Sequence, residues 1–300
     1  MELRTSLLVA ISIPLVFTVS ADASAGRTFV ATTGNDANVI TNCGVASPCR
    51  TFGAALGVTN SGGELVVLNS GGYGPATIGQ SVTITATGVD ASISVTTSGG
   101  AGLTINTTGN VTLRGLSLHG QATGANGIDV TQVGYLRLYD MLIENFTSHG
   151  VSMINGGNLE VYGSDMNDDV SAGLYLAGLT SPLAAYVAGS SFSHDGSGMA
   201  AGENSKVTLV DSSALFNSNG GFVTAEGQVT LINCRSAFNG NGMSSQNEGI
   251  MYFVNCVITN NVNAYTIFTG GTIAGTNPGT SFIDPSQGTT GTLSTAVVLK

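Results

Sequence analysis

The 300-residue chain carries 43 Gly, no Trp and only 9% charged residues, with a formal net charge of -10. Such a composition argues against a mixed α/β enzyme and suits a chain of short strands that turns tightly and often. Its few basic residues are scattered, so the clustered Lys and Arg that displace counterions from a polyanion are missing, and nucleic acid is not an expected partner.

Residues 1–25 combine Arg4, an apolar run from Leu7 to Val19 and small residues at Ala21, Ala23 and Ala25, the pattern of a secretory signal peptide cleaved after Ala25. The run falls short of the roughly 20 apolar residues that span a bilayer, and Ser12 and Pro14 interrupt it. Cleavage leaves 7 basic against 16 acidic residues, a net of -9, and no later segment has the length and hydropathy to cross a membrane. The expected location is secreted, periplasmic or cell-surface. An acidic surface of this kind would hold a polyuronate tightly only through bridging metal ions.

Residues 26–62 read as an N-terminal cap. Arg27 to Thr32 alternate as a strand, Gly34-Asn35-Asp36 turns the chain, and Cys43 and Cys49 close a small loop as a structural disulfide in an exported chain. Ser47 is the expected helix N-cap with Pro48 at the first helical position, and Phe52, Ala55 and Leu56 share one apolar face. Such a helix would cover the unpaired strand edges at the open end of a solenoid.

Residues 63–270 form the body, in which short apolar runs recur between glycines and asparagines. Each unit opens on a glycine before an apolar residue, at Gly102, Gly127, Gly150, Gly173 and Gly198. From Gly198 onward a step of 22 joins Gly198, Gly220 and Gly242; Asp211, Asn233 and Asn255; Ser212, Cys234 and Cys256; and Asn217, Asn239 and Asn261. A period in the low twenties is the mark of a solenoid whose coils stack on one another. In the coil from Gly127, Ile128 and Val130, then Leu136 and Leu138, then Met141 and Ile143 point inward on three short strands, with bends at Gly134 and Asp140. Strands that recur once per coil meet their equivalents in parallel, and parallel crossovers are right-handed. The expected fold is therefore all-β: a right-handed parallel β-helix of about 9 to 10 coils with a short N-terminal capping helix. Asn217, Asn239 and Asn261 should form a ladder of amides along one bend. Cys234 and Cys256 fall one coil apart in one inward column, either as a second disulfide or as two stacked thiols. Residues 271–300 supply a last strand, a cap or a flexible tail.

Several of these stretches resemble exported bacterial right-handed parallel β-helix repeat proteins of the pectin lyase-like superfamily. The likeness runs from Thr28 to about residue 263 through Thr28-Phe-Val-Ala-Thr-Thr-Gly-Asn-Asp, Pro48-Cys-Arg-Thr-Phe, Gly62-Gly-Glu-Leu-Val-Val-Leu, Gly71-Gly-Tyr-Gly and Ser81-Val-Thr-Ile-Thr. It implies the fold, and it implies a polysaccharide or cell-surface component as partner, but the superfamily mixes lyases, hydrolases, epimerases, esterases and adhesins. The polygalacturonase-like pattern is not met: Asn167-Asp168-Asp169 compresses two of its motifs, His149-Gly150 precedes them, and Arg-x-Lys is absent. Nor are the arginine base and the lysines of pectate lyase-like members in place.

One flank concentrates polar chemistry on three successive coils. Glu144, Asn167 and Ser193 share an outward column, as do Leu142, Asp165 and Ser191, and further acids and histidines fall in the bends just beyond. Paired carboxylates there would act as acid and base, or acid and nucleophile, on a glycosidic bond, and the same group could hold Ca²⁺, although no complete metal site or other cofactor is read. Asp165, Asp168, Asp169 and His194 are the candidate catalytic residues. Tyr139, Tyr162 and Tyr186, with His149, are the candidate substrate-binding residues, since exposed rings one coil apart can stack on sugars. Arg137 and Glu160 should pair on adjacent coils, and His119 stands alone in a turn. The reading favoured is a surface or envelope binding or scaffold protein without a complete catalytic site. The alternatives are a polysaccharide lyase or glycoside hydrolase working from the flank of residues 140–195, and a carbohydrate-binding module without turnover.

Overall fold

The computed structural model describes residues 25–275 and 281–295, so the signal-peptide expectation and residues 296–300 lie outside the described residues. Alternating apolar positions form two-residue to nine-residue strands that repeat in the order first sheet, second sheet, third sheet. The first sheet has 12 strands and the other two have 10 each, all paired in parallel with the equivalent strand of the next coil. This is a right-handed parallel β-helix of about ten coils, as the periodicity requires. In the coil that contributes Tyr135–Tyr139 to the first sheet, Leu142–Glu144 to the second and His149–Met153 to the third, the inward Leu136, Leu138, Met141, Ile143, Val151 and Met153 are all buried.

Two of the three bends recur with one left-handed residue followed by one buried residue, which is apolar in the earlier coils (Leu116, Met141, Phe146) and a hydrogen-bonding Ser, Cys, Asp or Asn in the later ones. At the first bend, between the first and second sheets, Asp140, Asp211, Asn233 and Asn255 all take positive φ, as do Gly115, Gly163 and Gly189. At the second, between the second and third sheets, Asn145, Asp168, His194, Phe216, Phe238 and Asn260 do the same. Asparagine, aspartate and glycine tolerate this region best, which is why they punctuate the sequence at coil spacing. Ser164, Ser190, Ser212, Cys234 and Cys256 follow at the first bend, each donating its hydroxyl or thiol to the backbone oxygen two residues back. Cys234 and Cys256 therefore occupy serine places in a hydrogen-bonded column and are free buried thiols, which closes the alternative of a second disulfide.

The second bend holds the amide ladder. Asn217 donates Nδ2 to Asn239 Oδ1 at 2.9 Å, Asn239 does the same to Asn261 at 2.9 Å, and each Oδ1 also accepts a backbone N–H from the rung above. The recurring glycines make room for it. A Cβ at Gly198 would lie 3.0 Å from Asn217 Nδ2, and one at Gly221 2.9 Å from Asn239 Nδ2. The glycine column is thus Gly198, Gly221 and Gly242 rather than Gly198, Gly220 and Gly242. Met199 pairs with Phe222 and Phe222 with Met243, so one bend carries an extra residue and the next gives it back.

At the N-terminal end, Cys43 and Cys49 are bonded with their Cα atoms 5.0 Å apart. The helix is Phe52–Val58, capped by Thr51, whose hydroxyl accepts from the Ala54 N–H; it does not start at Ser47 and Pro48. Cys49 is bridged to Val30 in extended form, and Asp36 accepts hydrogen bonds from the Arg50 and Thr51 N–H groups, so the chain is held out of helix until residue 52. Phe52, Ala55 and Leu56 are buried as the apolar face, and the helix packs on strands at the start of the first and third sheets. Coiling continues past residue 270: Thr272–Gly275 and Ser294–Thr295 extend the first sheet, and Gly288–Thr290 ends the third.

Candidate functional site

The register brings the flank residues together in the expected columns. Leu142, Asp165 and Ser191 are partners along the second sheet, as are Glu144, Asn167 and Ser193. His119 extends the second column and is not alone: its Nδ1 lies 2.9 Å from Glu144 Oε1. Side-chain direction then divides the candidates. Asp165, Asp168 and His194 face solvent, whereas Asp169 and Asp195 are 1% and 2% exposed. These two are the upper rungs of the ladder. Asp169 Oδ1 accepts from the Phe146 N–H at 2.8 Å, Asp195 Oδ1 from the Asp169 N–H at 2.9 Å, and Asn217 Oδ1 from the Asp195 N–H at 2.9 Å.

Burial raises both carboxyls, Asp169 to about 9 and Asp195 to about 8; neighbouring Asp168 adds to each, while the backbone N–H bonds oppose the shift. Asp169 is thus a neutral, inward group at pH 7 and does not face solvent with Asp168. Above the ladder, Asn145, Asp168, Val170, His194, Phe216 and Ser218 line a shallow open groove. Here His194 stacks on Phe216 at 5.3 Å, and Phe216 on Phe238 at 4.8 Å. Among the described residues no group of three or more His, Cys, Asp or Glu is placed to hold a metal ion.

The four substrate-binding candidates divide as well. His149 lies on the third sheet, stacked on Tyr175 at 4.8 Å, hydrogen-bonded through Nδ1 to the Ser148 hydroxyl and lowered in basicity by burial. The three tyrosines gather on the outer face of the first sheet. Tyr139 and Tyr162 stack at 5.1 Å with their planes 11° apart, and Tyr186 leans on Tyr162 at 5.9 Å, turned by 51° and 39% exposed. Two further residues complete this patch. The Arg114 guanidinium lies 3.9 Å above the Tyr139 ring, closing the other end of the stack. Tyr135 donates its hydroxyl to Glu160 Oε1 and carries the Arg137 guanidinium 4.0 Å above its ring, while Arg137 Nε donates to Glu160 Oε2 at 3.1 Å. Both residues were recoverable from the period: Arg114 is one coil before Tyr139 in its own column, and Tyr135 is two residues before Arg137 on the same face. Arg114 makes no ion pair within 4.0 Å among the described residues, so its donors stay available around an aromatic support.

The family is fixed by the coil sequence itself. The family described as "right handed beta helix region" matches residues 126–281, just over half of the chain, and the chain belongs to that family. Among solved structures, pectate lyase Pel9A aligns with 90% of this chain and 77% of its own at 16% identity, with a TM-score of 0.50. ORF18 of Geobacillus virus E2 aligns with 73% of this chain and 51% of its own at 11% identity, with a TM-score of 0.42. No curated protein matches the sequence. At these identities the structural likeness is one of fold.

Proposed function

We propose that this chain is an exported, non-catalytic β-helix that binds polysaccharide at a cell surface or envelope through the outer face of its first sheet. The observation that carries this reading is the patch of Arg114, Tyr135, Arg137, Tyr139, Glu160, Tyr162 and Tyr186, which runs over four successive coils. Coils are spaced at about 4.8 Å, so the patch spans on the order of 14 Å, enough for a short run of sugar rings. Rings that bind sugars offer apolar faces and edges, and flanking charged groups bond the hydroxyls. Tyr186, turned out of the stack, offers the largest open ring surface; Arg114 and Glu160 offer a donor and an acceptor. The disulfide, and the lack among the described residues of any helix long and apolar enough to cross a membrane, agree with export. The pectate lyase neighbour lends the polysaccharide its chemical class only.

Hydrolysis or lyase chemistry on the acidic flank is the second reading. Two facts weigh against it: Asp169 is committed to the ladder, and Asp165 does not line the groove that Asp168 lines. Retention on a panel of neutral and acidic polysaccharides, measured by affinity electrophoresis with and without Ca²⁺, tests the proposal. Saturable retention by wild type that is lost in Tyr162→Ala is expected. Equal retention of the two proteins on every polysaccharide removes the patch from the account.

A further inference from the structure

We infer that Asp169 and Asp195 are carboxylic acids that stand in for asparagine, each donating a proton from Oδ2 into the ladder, and that loss of these protons loosens the two bends carrying Asp168 and His194.

The geometry of the lower rungs sets the requirement. Asn217 Nδ2 donates to Phe192 O and to Asn239 Oδ1, and Asn239 Nδ2 donates to Ala214 O and to Asn261 Oδ1. In the upper rungs the same place holds an oxygen. A Cβ at Gly150 would lie 2.5 Å from Asp169 Oδ2 and one at Gly173 2.7 Å from Asp195 Oδ2, just as one at Gly242 would lie 2.7 Å from Asn261 Nδ2. Phe192 pairs with Met166 and Met166 with Ile143, so the register offers each Oδ2 a backbone oxygen, together with the Oδ1 of the rung below. All of these are acceptors. An ionised carboxylate has nothing to give them, and Asp169 Oδ2 and Asp195 Oδ2 are buried atoms with no hydrogen-bond partner as bare oxygens. A proton on each Oδ2 restores the pattern of the amide rungs.

The surroundings hold the proton in place. Asp195 when ionised, Asp168 and Glu144 add negative potential at Asp169, and Asp168 does so at Asp195. Among the described residues no cation acts on either carboxyl to lower it. His194 turns outward beside Asp195, and the third-sheet strands packed against the rungs direct His149 and Tyr175 outward. Both carboxyls are shifted upward, in keeping with this arrangement.

The sign follows. Between the normal carboxylate range and about pH 8, the closed state keeps protons that an opened state releases, so opening of each rung grows about tenfold per pH unit. The groove side chains Asp168 and His194 sit one residue before these rungs, so their fixed geometry belongs to the protonated ladder.

Amide exchange and thermal melting of the full chain, compared with Asp169→Asn, Asp195→Asn and the double variant from about pH 5 to about pH 9, test this. Relative to the double variant, wild type should lose Phe146 and Asp169 amide protection by about tenfold per pH unit per rung, and its melting temperature should fall. Infrared spectra add a readout that needs only wild type: a protonated carboxyl band at neutral pH, lost in the double variant when that protein folds. Parallel melting curves at every pH, or no such band at neutral pH, would overturn the inference. Neither readout depends on polysaccharide binding.

Discussion

The acidic flank and the outer face of the first sheet lie on the same coils, yet their chemistry is spent differently. At the second bend, Asp169, a catalytic candidate from the sequence, and Asp195 turn inward and are consumed by the hydrogen-bond ladder. On the first sheet, Arg114, Tyr162 and Tyr186 bond to nothing in the core and remain at the surface. Within a β-helix, then, an acid at coil spacing is first a candidate rung, and only the residues that the stacking does not need are candidates for ligand.

The sharpest way to test that division is to convert one rung type into the other. Asn239→Asp places a carboxyl between Asn217 Nδ2 and Asn261 Oδ1, where only a protonated acid fits. With a folded-state pKa raised as far as that of Asp169, the variant should lose about 4 kcal/mol at pH 7 and regain it steadily as pH falls from 7 to the ordinary carboxylate range, read by chemical denaturation. A loss that is the same at pH 4 and pH 7 would mean that the rung does not discriminate protonation.

Next in size is the surface patch. Tyr162→Ala should weaken polysaccharide binding by about tenfold or more while shifting the melting temperature little, because the ring is stacked outside the core. Arg114→Ala should reduce binding in the same direction, measured by calorimetry on the same ligand. Smaller again is Cys234→Ser, which returns the column to the residue found at Ser212 and should cost no more than about 1 kcal/mol. A thiol reagent should find neither cysteine in the native protein and both after denaturation. The smallest effect belongs to Arg137→Ala together with Glu160→Gln, a partly exposed pair worth less than about 1 kcal/mol to folding.

The fold was legible because stacking demands periodicity. The pairing of Leu142 with Asp165 and Ser191, the amide ladder and the Arg137–Glu160 pair all follow from counting residues. What counting misses is a bend that changes length. The ladder column steps by 22 from Asn217 back to Asp195 but by 26 to Asp169, and that irregular step made Asp169 look like an outer bend residue. A separate change of length, one extra residue between Asn217 and Phe222, shifted the glycine column from Gly220 to Gly221. Ser47 and Pro48 carry good helix-start chemistry, but the disulfide and Asp36 override it. In the candidate site, the residue types were visible while their direction was not, since a side chain at a bend can point inward or outward without disturbing the repeat.

One experiment separates the two regions directly: binding and turnover measured side by side, on the polysaccharide that wild type retains best, for wild type, Tyr162→Ala, Asp168→Ala and Asp169→Asn. Binding that disappears only in Tyr162→Ala, with no reducing ends or unsaturated uronate formed by any of the four, is the expected result. Product release by wild type that vanishes in Asp168→Ala would contradict the account and return the acidic flank to the centre of the molecule's function.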